Sequence, residues 1–99
     1  MADEETAEVR RLRKRIDSLD RKIVGLLNER AELGREVGRE KAAAGRRAVR
    51  DAEREREVLL RVTMANTGPI AQADLLAIYR RLIAATRALE TRDRERERG

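Results

Sequence analysis

One cation sits where an apolar side chain belongs. Arg30 falls at an a position of an otherwise apolar heptad, between Ile23 and Val37. A polar residue at such a position can set helix register, or the arginine can snorkel to water. Kept inside, it needs an anion. Lys41 follows about three turns later, about 20° around the same face, with Gly34, Val37 and Gly38 between. Two cations about 16 Å apart on one helix face, with small side chains between them, describe the floor of a pocket for something negative. Glycine costs up to about 1 kcal/mol in a helix interior. Two of them mid-helix therefore imply a need for space or, alternatively, close contact with another helix. Arg54, beside Glu55, and Arg13 add two further cations.

The composition narrows the chemistry. The chain has no Cys and no His, which removes thiolate reactions, disulfides, the usual zinc ligands and the commonest general base. Of its 99 residues 43% are charged and 1% aromatic, a profile of long amphipathic helices rather than of a sheet sandwich. The net charge of +5 raises the question of nucleic acid. The signs are interleaved, however, in Glu53-Arg54-Glu55-Arg56-Glu57 and Arg94-Glu95-Arg96-Glu97-Arg98, as on solvated helix faces. Aromatic side chains for base stacking are also lacking. No apolar run approaches the roughly 20 residues of a membrane span. Residues 1–8 are too acidic for a secretory signal. The expectation is a cytoplasmic protein that binds neither nucleic acid nor membrane.

Three helices must position these residues, in one all-α domain over 1–99. Residues 6–44 contain no proline and carry Val9, Leu12, Ile16, Leu19, Ile23, Leu26, Leu33 and Val37 at heptad spacing. Gly45 is a stop signal. A second helix over 51–65 starts at an Asp51 N-cap, with Glu53 and Glu55 in its first turn, where the helix dipole favours acids. Asn66-Thr67-Gly68-Pro69 breaks the chain. A third helix over 72–91 presents Leu75, Tyr79, Leu82, Thr86 and Leu89 on one stripe, and 92–99 reads as a frayed tail. The first helix, on the order of 55 Å long, overhangs a domain of this size. Its seam needs a second chain, so the expectation is an intertwined homodimer. Arg13 and Lys41 lie about 42 Å apart along one helix. If both serve one small ligand, Arg13 comes from the partner.

The ordered set Leu12-Arg13-Lys14-Arg15-Ile16-Asp17-Ser18-Leu19-Asp20, Glu29-Arg30, Val37-Gly38, Lys41, Val49-Arg50-Asp51 and Arg54-Glu55-Arg56 resembles the class II, all-helical chorismate mutases. The resemblance covers residues 9–90. The Asn66-Thr67-Gly68-Pro69-Ile70 connection looks most like the subgroup fused to or paired with DAHP synthase. It implies that Arg13 reaches across the dimer to one carboxylate of chorismate and Arg30 holds the other. Lys41 would donate to the ether oxygen and a carboxylate. Asp51 and Glu55 would bind the ring hydroxyl region, Arg54 would contact a carboxylate or support the pocket, and Gly34 and Val37 would line the floor. Thr86 stands where the family often has Ser, and Glu90 where many members have Gln. No cofactor or metal is implied. Chorismate rearranges to prephenate in one pericyclic step, which requires conformational restraint of a dianion and donors for the breaking ether bond.

Glu90 is the main departure. Gln offers an amide donor; ionised Glu offers none, and protonated Glu can donate. Desolvation and the substrate carboxylates raise its pKa, whereas Arg30, Lys41 and Arg54 lower it. The sequence leaves the sign open, and an outward-pointing Glu90 near a fraying end is the alternative. Three other functions share parts of the pattern: isochorismate-pyruvate lyase, a prephenate- or chorismate-binding regulatory module of DAHP synthase, and a basic coiled-coil or nucleic-acid adaptor.

Overall fold

Each helix begins and ends where local chemistry requires. The computed structural model describes residues 5–46 and 49–98. Residues 1–4 of the acidic start, 47 and 48 of the expected loop, and 99 at the end of the expected tail lie outside the described residues. Three helices form among the described residues, with no strand: α1 (Ala7–Ala43), α2 (Ala52–Ala65) and α3 (Gln72–Arg98). Thr6 caps α1, its Oγ1 accepting the Val9 N–H at 3.1 Å. Asp51 caps α2, its Oδ1 accepting the Arg54 N–H at 3.0 Å. The α2–α3 connection is held by Asn66, whose side chain donates to the Ile70 carbonyl and Gln72 Oε1 and accepts from the Gly68 N–H.

The stop at Gly45 is a Schellman motif. The Arg46 N–H reaches back to the Lys41 carbonyl at 2.9 Å, and the Gly45 N–H to the Ala42 carbonyl at 3.0 Å. Gly45 has φ of 81°, a left-handed conformation that a Cβ opposes. Gly45→Ala is therefore expected to cost about 1 kcal/mol. The loss should be read as a lower urea midpoint at unchanged slope, with a smaller loss for Gly45→Asn.

The third helix does not end near Thr91. It continues to Arg98, and the cause is tertiary. The Arg35 guanidinium grips the Asp93 carboxylate with Nε and Nη2 at 2.9 and 3.0 Å. Arg94 Nη1 donates to the Arg46 carbonyl at 3.0 Å. The Arg35 hydrogen bond holds the Asp93 carboxyl below its ordinary range.

The chain divides into two units, Met1–Arg30 and Ala31–Gly99, and α1 contributes to both. In the first, the heptad seam is uncovered: the exposure of Val9, Leu12, Ile16, Leu19, Ile23 and Leu26 runs from 37% at Val9 to 63% at Leu26. In the second, Leu33, Val37, Leu60, Met64, Ile70 and Ile78 are also exposed. No hydrophobic side chain among the described residues is buried. These faces are built as a core is built, yet the described residues do not close them. No helix of the described residues is long and apolar enough to cross a membrane.

Candidate active site

Most of the sequence-predicted residues belong to the second unit, and Gly34, Lys41 and Glu55 meet α3 there. Gly34 and Gly38 of α1 both turn toward it. A Cβ built at Gly34 would collide with the Thr86 methyl, and one at Gly38 would come 3.0 Å from Glu90 Cγ. Of the two reasons considered for these glycines, close helix contact is the one the structure shows. Thr86 is the most deeply seated polar side chain of α3. Its Oγ1 donates to the Leu82 carbonyl one turn back, at 3.1 Å, while its methyl faces Gly34. Gly34 is thus covered by Thr86 rather than left as open floor.

Glu90 does not point outward. It lies half-buried over Gly38, and α3 continues well beyond it. Burial raises its pKa above the ordinary carboxylate value. Lys41 of α1 and Arg94 of α3 pull it down, Asp93 pushes it up, and burial prevails. Lys41 is one of the three cations expected to act on Glu90; Arg94 was not anticipated. A pinched space of about 10 Å³ lies beside Glu90, walled by Gly38, Asp93 and Arg94.

Lys41 belongs to the last turn of α1 and is half-buried. Its Nζ lies 3.5 Å from the Val49 carbonyl, a long contact that leaves the ammonium donors available. Lys41 and Val37 also line an open groove of about 460 Å³ with Leu33, Glu36, Glu40, Ala44 and Arg46. Val37 is 56% exposed there.

On α2, Glu55 is largely shielded. Its Oε2 accepts from Arg87 Nη1 of α3 at 3.1 Å, and Arg50 Nε approaches its Oε1 at 3.6 Å. Asp51 serves as the cap already described. Arg54 extends along its own helix, Nη1 donating to Glu57 at 3.2 Å, and is mostly exposed. Arg13 and Arg30 belong to the Met1–Arg30 unit. Arg13 is exposed and ion-pairs with Glu5; Arg30 is half-buried. Sequence reasoning passed over Arg87 and Asp93. Arg87 flanks the inner stripe of its helix beside Thr86, but its pairing with Glu55 has no local spacing that would reveal it.

Residues 12–91 match the family model described as chorismate mutase type II. The chain belongs to that family. The match spans every site residue from Arg13 to Glu90. The chain is 39% identical over 87 residues to the bifunctional chorismate mutase/prephenate dehydratase of Aquifex aeolicus, covering 84% of this chain and 24% of that protein. It is 36% identical over 90 residues to the protein of the same name from Stutzerimonas stutzeri, covering 87% of this chain and 25% of that protein. The chain thus spans about a quarter of the length of the curated relatives it matches. Among solved structures, chorismate mutase (Form II) from Thermus thermophilus superposes with a TM-score of 0.81 at 33% identity, over 86% of this chain and 96% of that one. The names of the curated relatives carry prephenate dehydratase, whereas the 66–70 connection had suggested the DAHP synthase subgroup.

Proposed function

We propose that this chain is a cytoplasmic chorismate mutase, acting as one domain and converting chorismate to prephenate for aromatic amino acid synthesis. The observation that carries this reading is the family match over 12–91, which includes all the cations and carboxylates expected to meet the substrate. The reaction is unimolecular, so the residues need only restrain and stabilise. The partner subunit's Arg13 and this chain's Arg30 hold the two carboxylates, and Lys41 donates to the ether oxygen as its bond breaks. Asp51 and Glu55 receive the ring hydroxyl, with Arg54 supporting a carboxylate. Val37 lines the floor, and Thr86, seated on Gly34, shapes the wall. Supplying chorismate and isochorismate separately tests the assignment. Prephenate from the first without pyruvate from the second is expected; pyruvate release alone would make the protein a lyase.

The active form in this reading is an intertwined homodimer. Burying a Leu or Ile contributes about 1.5–3 kcal/mol, so covering the Val9–Leu26 seam is worth on the order of 10 kcal/mol, comparable to the whole stability of a small domain. A second copy offers the matching seam. The DAHP synthase partner suggested by the 66–70 connection is tested by co-elution, with prephenate dehydratase, which the relatives' names favour, as the comparison.

Glu90 makes this enzyme acid-favouring. Its pKa is raised by burial, so the protonated, donating form persists to higher pH than in an ordinary glutamate. Lys41 and Arg94 face it and favour the ionised form, Asp93 opposes them, and burial outweighs the two cations. As pH rises through the raised pKa the donor is lost, and a negative charge appears where charge grows in the transition state. The kcat of the wild type is expected to fall with rising pH, whereas Glu90→Gln is flatter and faster at neutral pH. Superimposable profiles would place Glu90 outside the mechanism.

A further inference from the structure

The site's two walls in the second unit are joined by an ion pair that the family resemblance does not assign. Arg87 directly follows Thr86, the residue packed on Gly34 of α1. From that turn of α3 its Nη1 reaches α2 and donates to Glu55 Oε2 at 3.1 Å. Both partners are shielded, with side-chain exposures of 31% and 19%. Arg50, on the other oxygen, is 68% exposed and stands at 3.6 Å, beyond good hydrogen-bond distance. Arg87 therefore makes the closer and better shielded of the two contacts.

We infer that Arg87 positions the Glu55 carboxylate to receive the substrate's ring hydroxyl. The inference rests on the proposed role of Glu55. A glutamate in the first turn of a helix has three side-chain torsions and sweeps a wide arc unless something holds it. The Asp51 cap and the Glu55 N–H to Asp51 carbonyl bond at 3.0 Å fix its backbone, but they do not fix its carboxylate. Arg87 does so from a neighbouring helix. A carboxylate has about four lone-pair sites; Arg87 occupies one on Oε2, leaving others to accept a hydroxyl. Because Arg87 shares a helical turn with Thr86 and lies one turn before Glu90, the hydroxyl acceptor on α2 is set against the same rigid element that carries the Glu90 carboxyl.

The test uses the full chain and two bicyclic dicarboxylate inhibitors that mimic the rearranging chair, one with the ring hydroxyl and one without. Arg87→Leu is expected to weaken the hydroxylated inhibitor about five- to tenfold, the effect of one displaced hydrogen bond, and to leave the deoxy inhibitor unchanged. It should raise KM for chorismate more than it lowers kcat, with partial recovery in Arg87→Lys. In a Glu55→Gln background Arg87→Leu should add nothing. Arg87→Gln replaces the Leu variant if circular dichroism shows lost helix. Equal weakening of both inhibitors, or of neither, while Glu55→Gln still discriminates between them, overturns the role of Arg87 alone. If Glu55→Gln does not discriminate, Glu55 is not the hydroxyl acceptor and both readings fall together.

Discussion

Lys41→Ala and Arg30→Ala are each expected to lower kcat/KM by about 10²–10³-fold, or about 2.7–4 kcal/mol, the cost of removing one donor aimed at transition-state charge. For Lys41 the structure separates catalysis from folding. Its Nζ contact with the Val49 carbonyl is 3.5 Å long, too long to hold α1 in place, whereas the Schellman motif and the Arg35–Asp93 fork anchor that end of the helix through other atoms. Helical circular dichroism should therefore survive Lys41→Ala while activity collapses. Arg30 carries a larger structural burden, being half-buried at a heptad position. If Arg30→Ala unfolds the protein and Lys41→Ala is silent, the two cations set register and do not meet substrate.

What the sequence made legible was local. A heptad needs only spacing, and α1 follows it. Asp51 and Gly45 announce a cap and a stop through their own backbone chemistry, and both do what was expected. What was misread, left open or missed required a second element. The Arg94–Arg98 repeat looks like a solvated tail because nothing within it shows that Asp93 meets Arg35 on another helix. Gly34 and Gly38 fit a pocket floor or a close crossing equally well until Thr86 and Glu90 are seen against them. The sign of the Glu90 shift depends on how far burial outweighs Lys41 and Arg94, a comparison of distances that residue order does not contain. Arg87 meets Glu55 only because α2 and α3 pack side by side.

Arg13→Ala is expected to be as damaging as Lys41→Ala, about 10²-fold or more, although Arg13 is exposed and pairs with nothing more remote than Glu5 among the contacts described. The physical reason lies in the uncovered seam. Val9, Leu12, Ile16 and Leu19 surround Arg13 in sequence and are all exposed. Any second chain that covers them takes the arginine with it. A mutation at a solvated arginine ordinarily changes little, so a large catalytic loss with retained helix is hard to reconcile with a monomeric site. Sedimentation equilibrium at micromolar concentration should give a dimer; a folded helical monomer would remove the basis for Arg13 acting in trans.

The most direct measurement mixes the two inactive variants. Arg13→Ala and Lys41→Ala chains are briefly denatured together, refolded and assayed for chorismate conversion. In a two-fold dimer with shared sites, a mixed pair has one site lacking both cations and one complete site. With random pairing, half the dimers are mixed, so about a quarter of wild-type activity should return from two nearly inactive parents. Recovery of that order is the predicted result. Mixed dimers shown to form, with activity no higher than the parents, would contradict a site built from two chains.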